Sequence, residues 1–170
     1  MSDDDFKDFL TALSAAGVKH LIVGAYAMAT HGHVRATGDL DTRIEPTRDN
    51  AERLSVALRD FADVSLNYFG VSVEELAEGG TGFYIGVEPD RIDIHTVIAG
   101  LTFAQAWRGR ITAQSFGVNT EVLGLTELIA AKYASISLRP AGSSKALQDA
   151  ADLAWLKVEH ARRLGLPDTS

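Results

Sequence analysis

Apolar positions recur along the chain with two spacings, and the alternation between them predicts a mixed α/β domain. At residues 3–16 the large apolar side chains fall three and four positions apart after an acidic first turn, which predicts a helix. Residues 18–23 (VKHLIV) form a short apolar run before Gly24, and residues 39–44 (DLDTRI) alternate apolar and polar positions before Pro46. Both of these patterns predict strands.

The rest of the chain follows the same alternation. The segment Glu88-Pro89-Asp90 joins two β-rich stretches and predicts a hairpin. Altogether the patterns predict a mixed sheet of four to six strands that ends in two C-terminal helices. Further strands are expected at 82–87, 91–97, 111–116 and 118–123, and further helices at 25–31, from Thr47 through Phe61, at 73–78, from Thr102 to Trp107, from Thr126 to about Leu138, and from Ser143 or Ser144 to about Arg163.

Composition narrows the class of protein. The 170 residues carry a formal net charge of −7, which argues against broad electrostatic binding to nucleic acid or anionic lipid. The chain has no cysteine, so thiolate nucleophiles and cysteine-ligated zinc are excluded. No apolar run approaches the ~20 residues that cross a bilayer, and the acidic start MSDDDFKDFL differs from a signal peptide. We therefore expect a cytoplasmic protein with no membrane segment.

The stretch 21–45 carries the first candidate chemistry. Asp39 and Asp41 are two positions apart on a predicted strand, so both carboxylates project from one face of it. Adjacent acids repel one another unless a cation lies between them or one is protonated. Mg²⁺ is a natural partner, because it is held by one or two carboxylates together with substrate phosphates. A second D-x-D pair, Asp3/Asp5, lies in a predicted helix start, so the strand context is what singles out the later pair.

Gly24 lies between a predicted strand and a predicted helix. A residue without a side chain there lets backbone N–H groups approach an anion, and the helix N-terminus adds positive potential. Strand-to-helix turns also use glycine for geometry alone, so both interpretations stay open.

A third acid, Asp93, lies within RIDIHTVI, where the flanking isoleucines alternate with polar residues. Asp93 then shares one face of a strand with Arg91 and His95. That face is simply exposed to solvent, or else this strand lies beside 39–44 and its acid joins the other two.

The ordered set of motifs resembles the nucleotidyltransferase superfamily typified by DNA polymerase beta and kanamycin nucleotidyltransferase. It consists of GAYAMATHG, then R-x-T-G-DLD, then an acid in an I-D-I strand. The later LTELIAAKYAS and QDAADLAWL are similar to the helical region of a small bacterial branch that includes the AbiE-type toxins of toxin–antitoxin pairs. The resemblance implies an α/β nucleotidyltransferase fold, with a mixed sheet flanked by helices and a C-terminal helical pair. It implies a catalytic domain over 1–124 and a helical extension over 125–170.

The resemblance also implies roles for individual residues. Gly24 corresponds to the turn that contacts the nucleotide phosphates, and Asp39 and Asp41 to the paired metal-binding acids. Asp93 corresponds to the third acid, which binds the catalytic metal and helps activate an acceptor hydroxyl. Lys132 matches a helix lysine that reaches the triphosphate. Three carboxylates against two Mg²⁺ or Mn²⁺ ions leave a local charge of +1, which suits a polyanion.

Other implied positions are less regular. Asp149 and Asp152 match acidic positions with a structural or orienting role, and Arg35 is a candidate phosphate contact or a solvated loop cation. Ala25 stands where the family has a second Gly or Ser, and Gln148 stands where it has Lys. A further departure is an arginine, at position 43, where an apolar strand residue is usual.

The function that follows is metal-dependent transfer of a nucleoside monophosphate from an NTP to an acceptor hydroxyl on a tRNA, a protein or a small molecule. Ala25 and Gln148 motivate an alternative, a catalytically silent nucleotide- or partner-binding member of a toxin–antitoxin-like pair. A third hypothesis is a metal-dependent hydrolase, because His31, His33 and His95 with the acids would suit a transition metal.

Overall fold

Six strands form one mixed sheet in the computed structural model, which describes residues 1–166. The strand order across the sheet is β3-β4-β2-β1-β6-β5. Strand β2 runs parallel to β4 and antiparallel to β1, while the hairpins β3–β4 and β5–β6 are antiparallel. The strands are β1 (His20–Ile22), β2 (Asp39–Ile44), β3 (Gly82–Val87), β4 (Asp90–His95), β5 (Ile111–Ser115) and β6 (Val118–Val122).

Seven helices and one short 3₁₀ turn, Leu66–Phe69, surround the sheet within the described part of the chain. The predicted hairpin, the strand count and the two final helices are confirmed. The helices are α1 (Asp3–Ala15), α2 (Gly24–Thr30), α3 (Arg48–Ala62), α4 (Val73–Glu78), α5 (Phe103–Arg108), α6 (Leu125–Leu138) and α7 (Ser144–Arg163).

Side-chain caps fix most of the helix starts that the sequence predicts. The hydroxyls of Thr47, Thr102 and Ser143 each accept a hydrogen bond from the backbone N–H three residues on. Helix α6 is different, because it begins at Leu125, one residue before the predicted start, and its N-cap Gly124 has no side chain to accept a hydrogen bond. The carbonyl oxygen of Gly109 occupies the space that a side chain at position 124 would need, so only glycine fits at that position.

The apolar core lies on one face of β2 and β4. Leu40, Ile92 and Ile94 are fully buried there and belong to one hydrophobic cluster with the inward faces of α1 and α3. Since side chains alternate along a strand, the intervening residues of β2 and β4 project from the opposite face. Among residues 1–166, no helix is both long and apolar enough to cross a membrane.

Candidate active site

The polar face of the sheet carries its chemistry in a regular array. Strand register places Asp41 of β2 directly beside Asp93 of β4, which in turn lies opposite Tyr84 of β3. Two residues earlier on the same strands, Asp39 of β2 lies beside Arg91 of β4. Register partners in neighbouring strands project from the same side of a sheet, so all five side chains share one face. Asp93 is only 8% exposed, so this face is not an open solvated surface.

Gly24 and Asp41 are in direct contact across the first turn of α2. Gly24 has φ +62°, a left-handed conformation that disfavours other residues, and the Asp41 carboxylate occupies the space that a Cβ at position 24 would fill. The backbone N–H of Val23 also donates to the Asp41 carbonyl, at 3.0 Å. This glycine therefore has a second role beyond any approach to phosphate, which is to leave room for an acid.

Two of the three acids are destabilised as anions. Burial, followed by the negative charges of Asp93 and Asp39, raises the pKa of Asp41 above its ordinary value. Burial also raises the pKa of Asp39, although the Arg91 guanidinium opposes that shift. The Oδ1 atom of Asp39 is buried and accepts no hydrogen bond from any residue between 1 and 166. A bound cation would relieve both of these electrostatic costs.

Arg91 is the cation nearest to these acids. Its Nε lies 2.6 Å from Oδ1 of Asp93, its Nη2 donates to Oδ2 of Asp93 at 3.0 Å, and its Nη1 donates to Glu88 at 2.8 Å. The Nε also lies 3.9 Å from Oδ1 of Asp39. Tyr84 completes the surroundings, with its ring centroid 5.3 Å from the guanidinium carbon.

A cavity of about 390 Å³ lies between this face of the sheet and the final helical pair. That volume is within the ~300–1,000 Å³ typical of ligand pockets. One wall is acidic and the other carries cations, so the cavity has opposite charge on its two sides. The acidic wall comprises Asp39, Asp41 and Asp93, and the facing wall includes Lys132, Arg139 and Lys145.

Lys132 is held between two buried acids. Its Nζ lies 2.7 Å from Oδ1 of Asp149 and 2.7 Å from Oδ2 of Asp152, which joins α6 to α7. Ser135 and Arg139 also donate to Asp149, at 2.8 and 3.0 Å. Burial opposes ionisation of Asp149, but its partners, Lys132 first, outweigh burial and lower its pKa. Lys132 thus lines the cavity, but its positive charge is already neutralised by Asp149 and Asp152.

Asp152 is fully buried and also collects groups from the loop after α2. The Nε of Arg35 lies 3.6 Å and the Nε2 of His33 3.7 Å from its Oδ1, and Gln148 donates to the same oxygen at 3.0 Å. The imidazole of His33 packs against the Trp155 ring, with centroids 4.7 Å apart. Arg35 is therefore a cavity-lining ion-pair partner and not a solvated loop cation.

The three histidines point to separate places. The Nε2 of His31 lies 2.9 Å from the carbonyl oxygen of Leu123, and His33 contacts the helical pair as described above. The Nε2 of His95 lies 4.0 Å from Oδ2 of Asp93. Within residues 1–166 no three histidine or acidic side chains are grouped to hold one metal ion. In this part of the chain the histidines therefore form no hydrolase-type cluster with the acids, and Asp39, Asp41 and Asp93 do not form a three-carboxylate metal group either.

Comparison with known proteins identifies the fold. No family model matches the chain, and no protein of curated function matches its sequence. The solution structure of the antibiotic-resistance factor ANT(2″)-Ia matches with a TM-score of 0.56 at 16% identity, covering 96% of this chain and 92% of that one. Its crystal structure in complex with adenylyl-2″-tobramycin matches with a TM-score of 0.55 at 15% identity, covering 96% and 97%. A candidate nucleotidyltransferase from Thermotoga maritima gives 0.52 at 12% identity, covering 89% and 90%.

The chain has the nucleotidyltransferase fold. At these low identities the likeness is one of fold, so the activity, ligand and acceptor have to be argued from the site itself.

The residues present fit a divalent cation in this nucleotidyltransferase fold. Asp39 and Asp41 project from one face, both have raised pKa values, and one oxygen of Asp39 accepts no hydrogen bond within the described range 1–166. Mg²⁺ requires only one or two carboxylates when substrate phosphates complete its ligands. The carboxylate pair is therefore a suitable donor set, while Asp93 is engaged by Arg91.

Arg91 and Lys145 line the cavity but have no role in the sequence-based predictions. Arg91 shares the predicted face of Asp93, and its position two residues earlier on the same strand is the signal that the two interact. Lys145 lies in the first turn of α7 and is exposed at the cavity, where its charge acts on Asp39. No local pattern marks Lys145, because only the packing of α7 across the sheet brings it there.

Proposed function

We propose that the chain is a divalent-metal-dependent nucleotidyltransferase that moves a nucleoside monophosphate from an NTP to an acceptor hydroxyl. The main support for this proposal is the register of β2 against β4, which places Asp41 beside Asp93. Both acids lie on one wall of a cavity whose opposite wall carries cationic side chains. In this reaction the acceptor oxygen forms a bond to the α-phosphorus, the bond from that phosphorus to the departing pyrophosphate breaks, and the proton of the acceptor hydroxyl is released to solvent water.

The residues of the acidic wall would share this work. Asp39 and Asp41 would hold Mg²⁺ or Mn²⁺, which supplies charge neutralisation for the triphosphate when bound. Asp93 lies beside them, and its carboxylate, held in place by Arg91, would help orient the acceptor hydroxyl. Gly24 keeps Asp41 in place by leaving its carboxylate room against the turn.

The facing wall supports binding of the phosphate chain. Lys145 is exposed there and makes no ion pair within residues 1–166, so its charge is available to a triphosphate. Arg35 and Lys132 line the same cavity, but both are paired with Asp152. We therefore assign the direct phosphate contact to Lys145 first, and a supporting electrostatic role to the other two.

The acceptor is proposed to be a small molecule that bears hydroxyl groups. Support comes from ANT(2″)-Ia, which shares the fold and was crystallised with adenylyl-2″-tobramycin. A tRNA end or a protein side chain as acceptor would require a partner surface beside the cavity. The acidic overall charge of −7 makes a polyanionic acceptor the less favourable of these.

Titration of ATP, GTP, CTP and UTP with Mg²⁺ against wild type and Asp41→Asn tests the proposal by calorimetry. Wild type is expected to bind at least one nucleotide, and Asp41→Asn to bind it at least about tenfold more weakly, equivalent to about 1.4 kcal/mol. Asp63→Asn is the matched control, because Asp63 is an exposed acid at the end of α3, away from the cavity. Indistinguishable heats for wild type and Asp41→Asn would contradict the proposal.

A second candidate function is a catalytically silent nucleotide- or partner-binding protein of a toxin–antitoxin-like pair. Ala25 is buried in the cavity wall and offers no hydroxyl to a phosphate, and Gln148 is already bonded to Asp152. Incubation with labelled NTPs and total cellular RNA and protein separates the two. Transfer of label contradicts the silent function, whereas a stable complex without transfer supports it.

A further inference from the structure

Arg43 is a buried arginine that the proposed reaction does not use. Its residue is 3% exposed, and it projects from the same face of β2 as Asp41, two positions earlier. Its register neighbours on that face are Leu21 of β1, which is fully buried, and His95 of β4. A charged side chain is therefore enclosed at a strand position where burial ordinarily favours an apolar residue.

The guanidinium of Arg43 makes a single hydrogen bond within residues 1–166. Its Nη2 donates to the carbonyl oxygen of Leu101 at 3.4 Å, which is longer than the ~2.7–3.2 Å of an ordinary N–H···O bond. Its Nε and Nη1 are buried and donate to no atom of the described chain. A guanidinium has one N–H group at Nε and two at each Nη, so more than half of these donors are buried without an acceptor.

The charge of Arg43 is also unbalanced. Among residues 1–166 no acidic side chain forms an ion pair with Arg43, whereas Arg91 and Lys132 beside the cavity each have such a partner. Burial lowers the pKa of Arg43 to about 10, so the group stays protonated at neutral pH. A buried charge that keeps its proton and has no partner of opposite sign is costly. The enclosure of Arg43 therefore calls for a counter-ion.

A turn at residues 98–101 covers this guanidinium. Its Leu101 carbonyl accepts the one hydrogen bond from Arg43, and Ile98 pairs with Leu101 across the turn. Gly100 packs directly on α6, because a Cβ there would lie 2.6 Å from the Cβ of Ala134. Of the described residues, Ile98 lines the cavity and Arg43 does not, so bound nucleotide is not expected to reach this guanidinium.

We propose that Arg43 holds a small inorganic anion, with the size and charge of chloride, beneath the turn at residues 98–101. A water molecule would accept from the free N–H groups but leave the positive charge unbalanced, whereas a monovalent anion accepts and neutralises together. The enclosure favours a monatomic ion, because a larger anion reaches a residue that is 3% exposed only if the turn moves. This anion site is separate from the acidic wall and does not depend on the proposed function.

Urea unfolding at constant ionic strength tests the proposal on wild type. Sodium chloride replaces sodium gluconate, whose anion is too large for the enclosure. An ion that binds only the folded chain raises the folding equilibrium constant as its concentration rises, so between about 10 and about 300 mM chloride we expect a gain of about threefold or more. A folding equilibrium constant that does not change with chloride overturns the proposal.

Two variants assign the chloride effect to Arg43. Arg43→Met keeps an unbranched side chain and removes a costly buried charge, so it is expected to fold and to lose the chloride gain. Arg59→Met removes an exposed arginine on α3, which gives the same net charge, and is expected to keep the wild-type gain. Equal gains for wild type and Arg43→Met would place the effect elsewhere on the chain and overturn the proposal.

Crystals of wild type grown in sodium bromide give a second measurement that requires no variant. Bromide replaces chloride and scatters anomalously, and we expect an anomalous peak within hydrogen-bond distance of Nε or Nη1 of Arg43. A water molecule at that position, or no anomalous peak there, overturns the proposal even if chloride stabilises the chain. If Arg43→Met does not fold, the bromide peak and the wild-type titration decide the matter.

Discussion

At the scale of single residues, the contact between Gly24 and Asp41 decides how the acidic wall is built. Gly24 is needed twice, because its φ is +62° and because the Asp41 carboxylate fills the space of a Cβ. The glycine thus joins the strand-to-helix turn to the chemistry of the neighbouring strand. A substitution at this position should disturb the acid more than it disturbs the fold.

Gly24→Ala and Gly70→Ala separate those two effects. Gly70 has φ +69°, and no atom lies within 4 Å of the place that an alanine Cβ would take, so alanine there adds left-handed strain alone, about 1–2 kcal/mol. Gly24→Ala should cost more than that and weaken nucleotide binding about tenfold or further. Urea unfolding and nucleotide calorimetry measure the two quantities. Equal stability losses with unchanged nucleotide binding would show that the Asp41 contact has no functional consequence.

At the scale of elements, buried ion pairs join helix α6 to helix α7. Lys132 reaches Asp149 and Asp152 at 2.7 Å each, and the side chain of Asp152 is fully buried. Removal of one partner leaves uncompensated charge in a low-dielectric environment, which costs far more than the loss of a surface ion pair. The ion pairs of Lys132 with Asp149 and Asp152, called the clamp below, therefore fix α7 relative to α6 beside the cavity.

Lys132→Met keeps the apolar stem and removes the charge. We expect it to lower the free energy of unfolding by about 3–5 kcal/mol, since two buried carboxylates lose their shared partner. Lys157→Met, on the exposed side of α7, is expected to change stability by about 0.5 kcal/mol or less. Urea unfolding compares the two variants. Equal midpoints would mean that the clamp does not stabilise the helical pair.

At the scale of the whole molecule, a buried histidine makes global stability depend on pH. His20 is 7% exposed in β1, with Nδ1 2.8 Å from the Val18 carbonyl oxygen and Nε2 3.0 Å from the Thr120 hydroxyl. Donation from Nδ1 to the carbonyl leaves Nε2 to accept from the hydroxyl, which satisfies the neutral ring. Burial lowers the pKa of His20 below its ordinary 6.5.

The sign of the pH effect follows from that lowered pKa. Below pH 6.5 His20 binds a proton in the unfolded chain but stays neutral in the folded protein. The free energy of unfolding therefore falls as the pH falls towards the pKa of His20 in the folded protein. The slope from this residue reaches at most about 1.4 kcal/mol per pH unit. His20→Gln should show a shallower decline between pH 7.5 and 5.5 in urea unfolding. Thr120→Val keeps the buried imidazole and should retain the wild-type slope.

Much of the element pattern was predictable because it depends on short-range chemistry. Periodicity and hydroxyl caps locate helices such as α3 and α5 from residues within a few positions of each other. The glycine at the N-cap of α6 was not predictable in this way, because the approach of the distant Gly109 carbonyl oxygen leaves no space for a side chain at position 124. The division into a catalytic part over 1–124 and a helical extension stays a prediction, although both parts line the one cavity.

The amino-acid sequence by itself determined that Asp39 and Asp41 share one strand face, because alternation is a local property of extended backbone. Only the tertiary structure decided that β4 lies parallel beside β2 with Asp93 next to Asp41, since strand order depends on how the whole chain packs. It also decided that Lys132 pairs with acids 17 and 20 positions away. Ion-pair partners are set by burial and distance in space, which no local pattern encodes.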